Sequence, residues 1–145
     1  MGHRQRLFFV IGCWAALATA AVHLVGQLGG PPPVANDTER TLHELMATYR
    51  FPLPGAARTL EELLHGFGLT FSVALTLLGG TGLHLLKRAG KDAVLMRAVA
   101  QANAVGALTL VAISLRYFFI IPTVFLSVVA FAFGAACFGR PAPAE

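Results

Sequence analysis

The chain has 145 residues, 56% of them hydrophobic and only 12% charged, with a mean hydropathy of +0.68. Soluble domains carry roughly twice that charge fraction, and the length suits a single domain, residues 1–145. A pI near 9.7 raises the question of nucleic acid, but the basic residues sit in short clusters between apolar runs, as in loops held on the cytoplasmic side of a membrane.

MGHRQR is a basic head, and an apolar run follows from Leu7 to Leu28. Residues 7–17 also fit the h-region of a signal peptide, with Ala18-Thr19-Ala20 as its cleavage site. The run continues past that site to residue 28, which suits an intact span better. GGPPPVAND then ends the helix, since proline cannot continue it. In TERTLHELMATY the apolar residues Leu42, Leu45, Met46 and Tyr49 recur at the spacing of one helix face, with Asn36 or Asp37 as cap. This short amphipathic helix can lie on the helix ends or in the membrane interface. RFPLPGAAR reads as extended, because a residue preceding proline is pushed out of the helical region.

Thr59 and Glu62 form a capping-box pattern that opens the second span, residues 60–86, which Lys87 and Arg88 close. Asp92 caps a third span over 93–115. Arg116-Tyr117-Phe118-Phe119 is the next turn, and Pro122 lies in the opening turn of the fourth span, 119–138. GRPAPAE, residues 139–145, reads as a disordered tail.

With the N-terminus inside, seven basic residues fall on the cytoplasmic side (Arg4, Arg6, Lys87, Arg88, Lys91, Arg97, Arg140) and four outside (Arg40, Arg50, Arg58, Arg116). That bias follows the positive-inside rule and places both termini inside, with residues 29–59 as the outer loop. Asp37, Glu39, Glu44, Glu61 and Glu62 make the outer side acidic. Each span carries a stripe of small or polar residues at three- and four-residue steps: Gly12, Ala16, Thr19, His23, Gly26; then Glu61, His65, Gly68, Ser72, Thr76, Gly79; then Ala98, Ala102, Gly106, Thr109; then Ser127, Ala130, Gly134, Cys137. Close approach along such stripes drives helix association in lipid. The expected fold is therefore all-α, an integral membrane up-down four-helix bundle with a short amphipathic helix in its outer loop.

Cys13 and Cys137 lie inside apolar runs and form no CxxC or CxxH pattern, which argues against a zinc site or a thiol relay. Glu62-Leu63-Leu64-His65 has ExxH spacing, but a di-metal site needs a second such motif and two more carboxylates, and Glu62 is already explained as a cap. No metal site and no catalytic residue is expected. His23 and His65 both fall one to two turns from the outer surface on the small-residue faces of antiparallel helices, so they are expected in one layer. Glu61 lies one turn above His65, and Arg116 and Tyr117 lie at the outer turn. His43 and Glu44 sit on the covering helix. These residues could hydrogen-bond one another and the backbone, or bind a quinone, a lipid or a haem between the imidazoles, with the Leu42/Leu45/Met46/Tyr49 face as lid. His84 lies at the other end, near His3 alone. Gln101 and Asn103 are expected to join helices through hydrogen bonds.

Residues 44–80 and 117–136, ELMATYRFPLPGAARTLEELLHGFGLTFSVALTLLGG and YFFIIPTVFLSVVAFAFGAA, resemble a group of small four-helix bacterial inner-membrane proteins. The resemblance implies a multi-pass inner-membrane location and an intact first helix, and brings no activity, cofactor or site. The expected role is that of a non-catalytic accessory protein without a cofactor. Its partners would be the lipid bilayer and another membrane protein or a second copy, and not nucleic acid. Two alternatives stand beside it: binding of a small hydrophobic ligand at the outer end, and small-solute transport by a homo-oligomer.

Overall fold

The computed structural model describes residues 1–30 and 33–138. Pro31, Pro32 and the expected tail at 139–145 lie outside them. Among the described residues the chain forms α1 (His3–Leu28), α2 (Asp37–Thr48), a hairpin of β1 (Arg50–Leu53) and β2 (Ala56–Thr59), then α3 (Leu60–Ala89), α4 (Ala93–Tyr117) and α5 (Ile120–Cys137). α1, α3, α4 and α5 contain 26, 30, 25 and 18 residues and are long and apolar enough to cross a membrane, the pattern of a multi-pass membrane protein. Large apolar side chains such as Trp14, Val25, Phe67, Leu77, Leu115 and Phe131 stand exposed along them. Water would oppose so much open apolar surface, whereas lipid tails accept it.

The ends follow local chemistry. The Thr59 hydroxyl accepts from the Glu62 N–H at 3.1 Å while the Glu62 carboxylate accepts from the Thr59 N–H at 2.9 Å. Asp92 accepts from the Leu95 N–H at 2.9 Å, and Asn36 accepts from the Glu39 N–H at 2.9 Å. α1 starts at His3, one turn before the apolar run. The Gln5 side chain accepts from the Gly2 N–H at 2.9 Å, and arginine is a good helix former, so Arg4 and Arg6 extend the helix beyond its apolar length.

The extended RFPLPGAAR segment is paired with itself. Phe51 faces Arg58 and Leu53 faces Ala56 in an antiparallel ladder. Pro54 and Gly55 form the turn, and Gly55 has φ +80°, the left-handed conformation that the third position of a type II turn requires. Pro52 is tolerated because a two-stranded ladder has only edges. Arg50 donates to the Ala57 carbonyl at 3.2 Å across the pair.

α1 is the central element, packed on α3 and on α5; α4 packs on α5 and only lightly on α3. One apolar core joins Phe9, Cys13 and Ala16 of α1 to Leu86, Met96, Ala100, Val129 and Phe133. A smaller one of Ala20, Leu75 and Leu126 lies towards the loop end. The rings of Phe9 and Phe133 meet edge to face at 5.6 Å. α1 and α3 approach closely because glycines stand at the contact: a Cβ on Gly79 would lie 2.5 Å from the Cys13 carbonyl, and one on Gly82 2.6 Å from the Cys13 sulfur.

The stripes are only partly those expected. Gly12, Ala16 and Thr19 of α1 are buried, as are Gly68, Ser72 and Gly79 of α3, but Gly26, His65 and Thr76 are exposed. On α4 the expected stripe of Ala98, Ala102, Gly106 and Thr109 is wholly exposed, and Met96, Ala100, Ala104, Ala107 and Ser114 are buried instead. On α5 Ala130 is buried, but Leu126, Val129 and Phe133 share the inner face and Ser127 is exposed.

Candidate functional site

The loop end of the molecule is set by the α1–α3 register. Cys13 lies against Gly79 and Gly82, and Gln27 against Gly68, where an added Cβ would come within 2.5 Å of its side chain. This register places Phe71, not His65, beside His23. The two rings meet edge to face with centroids 5.1 Å apart. His65 is six residues nearer the loop end of α3 than Phe71, about 9 Å along the axis at ~1.5 Å per residue, and it is exposed. The expected shared layer of two imidazoles is therefore corrected: α3 runs outward past the level of His23 before it meets the hairpin. His23 meets Phe71, and His65 stands open on α3.

His23 itself is unusual. Its Nε2 is buried and has no hydrogen-bond partner among the described residues, which leaves a polar atom unsatisfied at a cost of about 1–3 kcal/mol. Thr19, one turn away, spends its hydroxyl on the Ala15 carbonyl at 2.8 Å. The spacing of small residues on α1 pointed to a histidine on the packed face. Its neighbour Phe71 was not foreseen, because only the register determines it.

The remaining expected residues are dispersed. Glu61 is exposed, and Glu62 serves the cap. The Arg116 guanidinium lies over the Tyr117 ring at 5.3 Å, with both side chains exposed. They pair with each other at the end of α4 and not with either histidine, and the cation also faces the negative end of its helix. Gln101 is exposed and Asn103 half-buried, and among the described residues neither side chain makes a hydrogen bond to another helix. Among the described residues no three His, Cys, Asp or Glu side chains cluster closely enough to hold a metal ion.

α2 presents a different arrangement from the expected lid. It buries no residue, and its half-buried positions are Glu39, His43 and Met46. Leu42, Leu45 and Tyr49, at 53%, 56% and 57% exposure, stand open. Tyr49 meets Phe51 edge to face at 4.9 Å, so the open apolar surface runs on into the hairpin, where Leu53 is also exposed. α2 also carries Asp37, Glu39 and Glu44, with Arg40 held 3.6 Å from Asp37, and the hairpin carries exposed Arg50 and Arg58. Comparison with protein-family models, with curated proteins and with solved structures finds no match to this chain.

Proposed function

We propose that the four apolar helices cross a bacterial inner membrane as an up-down bundle, with both termini cytoplasmic and residues 29–59 outside. On this reading the protein works without catalysis, as an interaction protein that docks another membrane protein on its outer surface. The observation that carries this reading is the apolar surface of α2 and β1, Leu42, Leu45, Tyr49 and Phe51, exposed on an element that buries nothing of its own. An amphipathic helix lying on lipid headgroups carries lysine and arginine on its polar face. α2 carries Asp37, Glu39 and Glu44 against a single, paired Arg40, and anionic headgroups repel such a rim. The hairpin adds exposed Arg50 and Arg58, the latter paired with Phe51, so the apolar centre has an acidic rim on α2 and a basic one on the hairpin, which suits a protein partner with complementary charges of both signs.

A membrane-impermeant maleimide bearing a photo-crosslinker, attached to Thr41→Cys at the exposed edge of this surface, tests both parts. In intact cells it is expected to label from outside and to join a protein of discrete mass, with the adduct weakened by high salt. Labelling only after the membrane is breached would overturn the orientation. Adducts to lipid alone, or a protein adduct indifferent to salt and to Glu39→Lys/Glu44→Lys, would overturn the docking surface.

The buried Nε2 of His23, without a hydrogen-bond partner among the described residues, supports a second reading, a small hydrophobic ligand such as a quinone or lipid that brings one hydrogen-bonding group to the loop end of α1.

A further inference from the structure

At the end of the molecule opposite α2, an open groove of about 1090 Å³ runs between α1 and α4 with α5 as its floor. Phe8 and Phe131, edge to face at 6.3 Å, form part of its wall, and Leu108 and Val111 close its deep end. Its polar lining is concentrated at the mouth, where His3 and Arg4 stand exposed. Among the described residues no acidic side chain lines it. Ser127, the polar residue at depth, already donates its hydroxyl to the Thr123 carbonyl at 2.7 Å. From Ser127 to Phe138 the floor spans eleven residue-to-residue steps, about 16 Å at ~1.5 Å each, which is half of a ~30 Å hydrocarbon core.

A channel one leaflet long, apolar at depth and basic at the mouth, matches one molecule in both shape and charge. We propose that the groove is a binding site for an anionic phospholipid from the leaflet on the N-terminal side. One acyl chain lies against Phe8, Phe131 and Val111, and the phosphate sits at Arg4 and His3. The site rests on the helices being membrane spans, but on neither the outer docking surface nor the orientation. An annular lipid would show no preference for headgroup. Here Arg4 and His3 lie directly over the opening, so charge and chain are recognised together.

Gly134 supplies the test. It lines the groove, and among the described residues a Cβ added there meets nothing within 4 Å, so Gly134→Leu starts its side chain into the channel without a clash at Cβ. The full-length protein is equilibrated in nanodiscs of equal phosphatidylglycerol and phosphatidylcholine, and retained lipid is read by native mass spectrometry. The wild type is expected to retain one phosphatidylglycerol in preference to phosphatidylcholine. Arg4→Gln is expected to lower that preference about five-fold, the scale for one basic side chain at an anionic headgroup. Gly134→Leu is expected to remove the retained lipid altogether, with an unchanged helical spectrum and melting temperature for both variants. Equal retention of the two lipids by the wild type would overturn the proposal, as would unchanged retention in both variants. A wild-type dimer that Gly134→Leu converts to monomer would assign the groove to a second copy and also overturn it. Should Gly134→Leu melt early, Ala135→Leu, lining the same groove, takes its place with the same outcomes.

Discussion

α1 and α4 are nearly equal in length, at 26 and 25 residues, and both are apolar helices with small residues at helical spacing. α1 is enclosed: α3 packs on one side and α5 on the other, and its Gly12, Cys13 and Ala16 are buried. α4 has one firm neighbour, α5, and leaves Ala98, Ala102 and Gly106 open. In lipid no hydrophobic push separates these outcomes, so what decides them is how closely two backbones can approach. On the α1–α3 seam two glycines meet the Cys13 carbonyl and sulfur, and on the α1–α5 seam Gly12 meets the Phe133 ring at 3.0 Å from an ideal Cβ. On α4 the one glycine, Gly106, meets nothing within 4 Å. A small residue permits close packing, and a partner must be present to use it.

The largest effect expected from this contrast is at Gly79. Alanine would gain about 0.5–1 kcal/mol of helix propensity over glycine. Its methyl carbon, however, would stand 2.5 Å from the carbonyl oxygen of Cys13, a backbone atom that cannot rotate away. Separating the helices costs typically ~1–3 kcal/mol by the scale of overpacked cores, so Gly79→Ala is expected to lose about 1–2 kcal/mol net. Reversible unfolding in mixed micelles measures it. A gain in stability would break the α1–α3 register, and with it the placement of Phe71 beside His23.

That register marks the boundary of what could be read from residues alone. The caps at Thr59 and Asp92 were legible because each is a contact across three residues. The buried Gly12, Ala16 and Thr19 were legible because the opposite face of α1 is large. On α4 the same reasoning selected Ala98, Ala102 and Gly106, while Ala100, Ala104 and Ala107 are the residues buried. An alanine-rich helix has two small faces, and tertiary packing alone distinguishes them. The histidine layer failed for a related reason. Counting residues inward from the surface assumes that α1 and α3 end at one level. Gly68 against Gln27 shows instead that α3 continues past α1 toward the hairpin. The hairpin was seen as extended chain, but Pro54-Gly55 was not recognised as the turn that pairs it.

A smaller effect is expected where α4 does engage. Ser114 is fully buried, and its hydroxyl lies 2.8 Å from that of Thr123 on α5. Among the described residues this is the one side-chain hydrogen bond between two of the long helices. Thr123 also donates to the Phe119 carbonyl at 3.3 Å, which assigns the shared proton to Ser114. Ser114→Ala therefore leaves Thr123 its own acceptor and removes one bond. Such bonds in membrane helices average ~0.6 kcal/mol, and a loss of that order is expected in the same unfolding measurement. A loss above ~2 kcal/mol would show that this bond, rather than the apolar face around Ala107 and Val129, holds α4 in place.

An effect of similar size, but of opposite sign, is expected at Gly106. It is the counterpart of Gly79: a glycine in the middle of a long apolar helix, on a stripe of small residues. No atom lies within 4 Å of an added Cβ, and the residue is exposed. Gly106→Ala thus meets only lipid, and the propensity of alanine is uncompensated by any clash, giving a gain of at most about 0.5–1 kcal/mol. The pair of substitutions separates two properties that the sequence merges, since both glycines have helical spacing and only one has a neighbour. Measured in dilute micelles and again in protein-rich bilayers, Gly106→Ala also probes the open face itself. A gain in both media leaves α4 bare to lipid. A loss confined to the protein-rich bilayer, accompanied by a fall in oligomer, would mean that the Ala98/Ala102/Gly106 face is the seam of a homo-oligomer, with a glycine contact between copies as close as that of Gly79 within one.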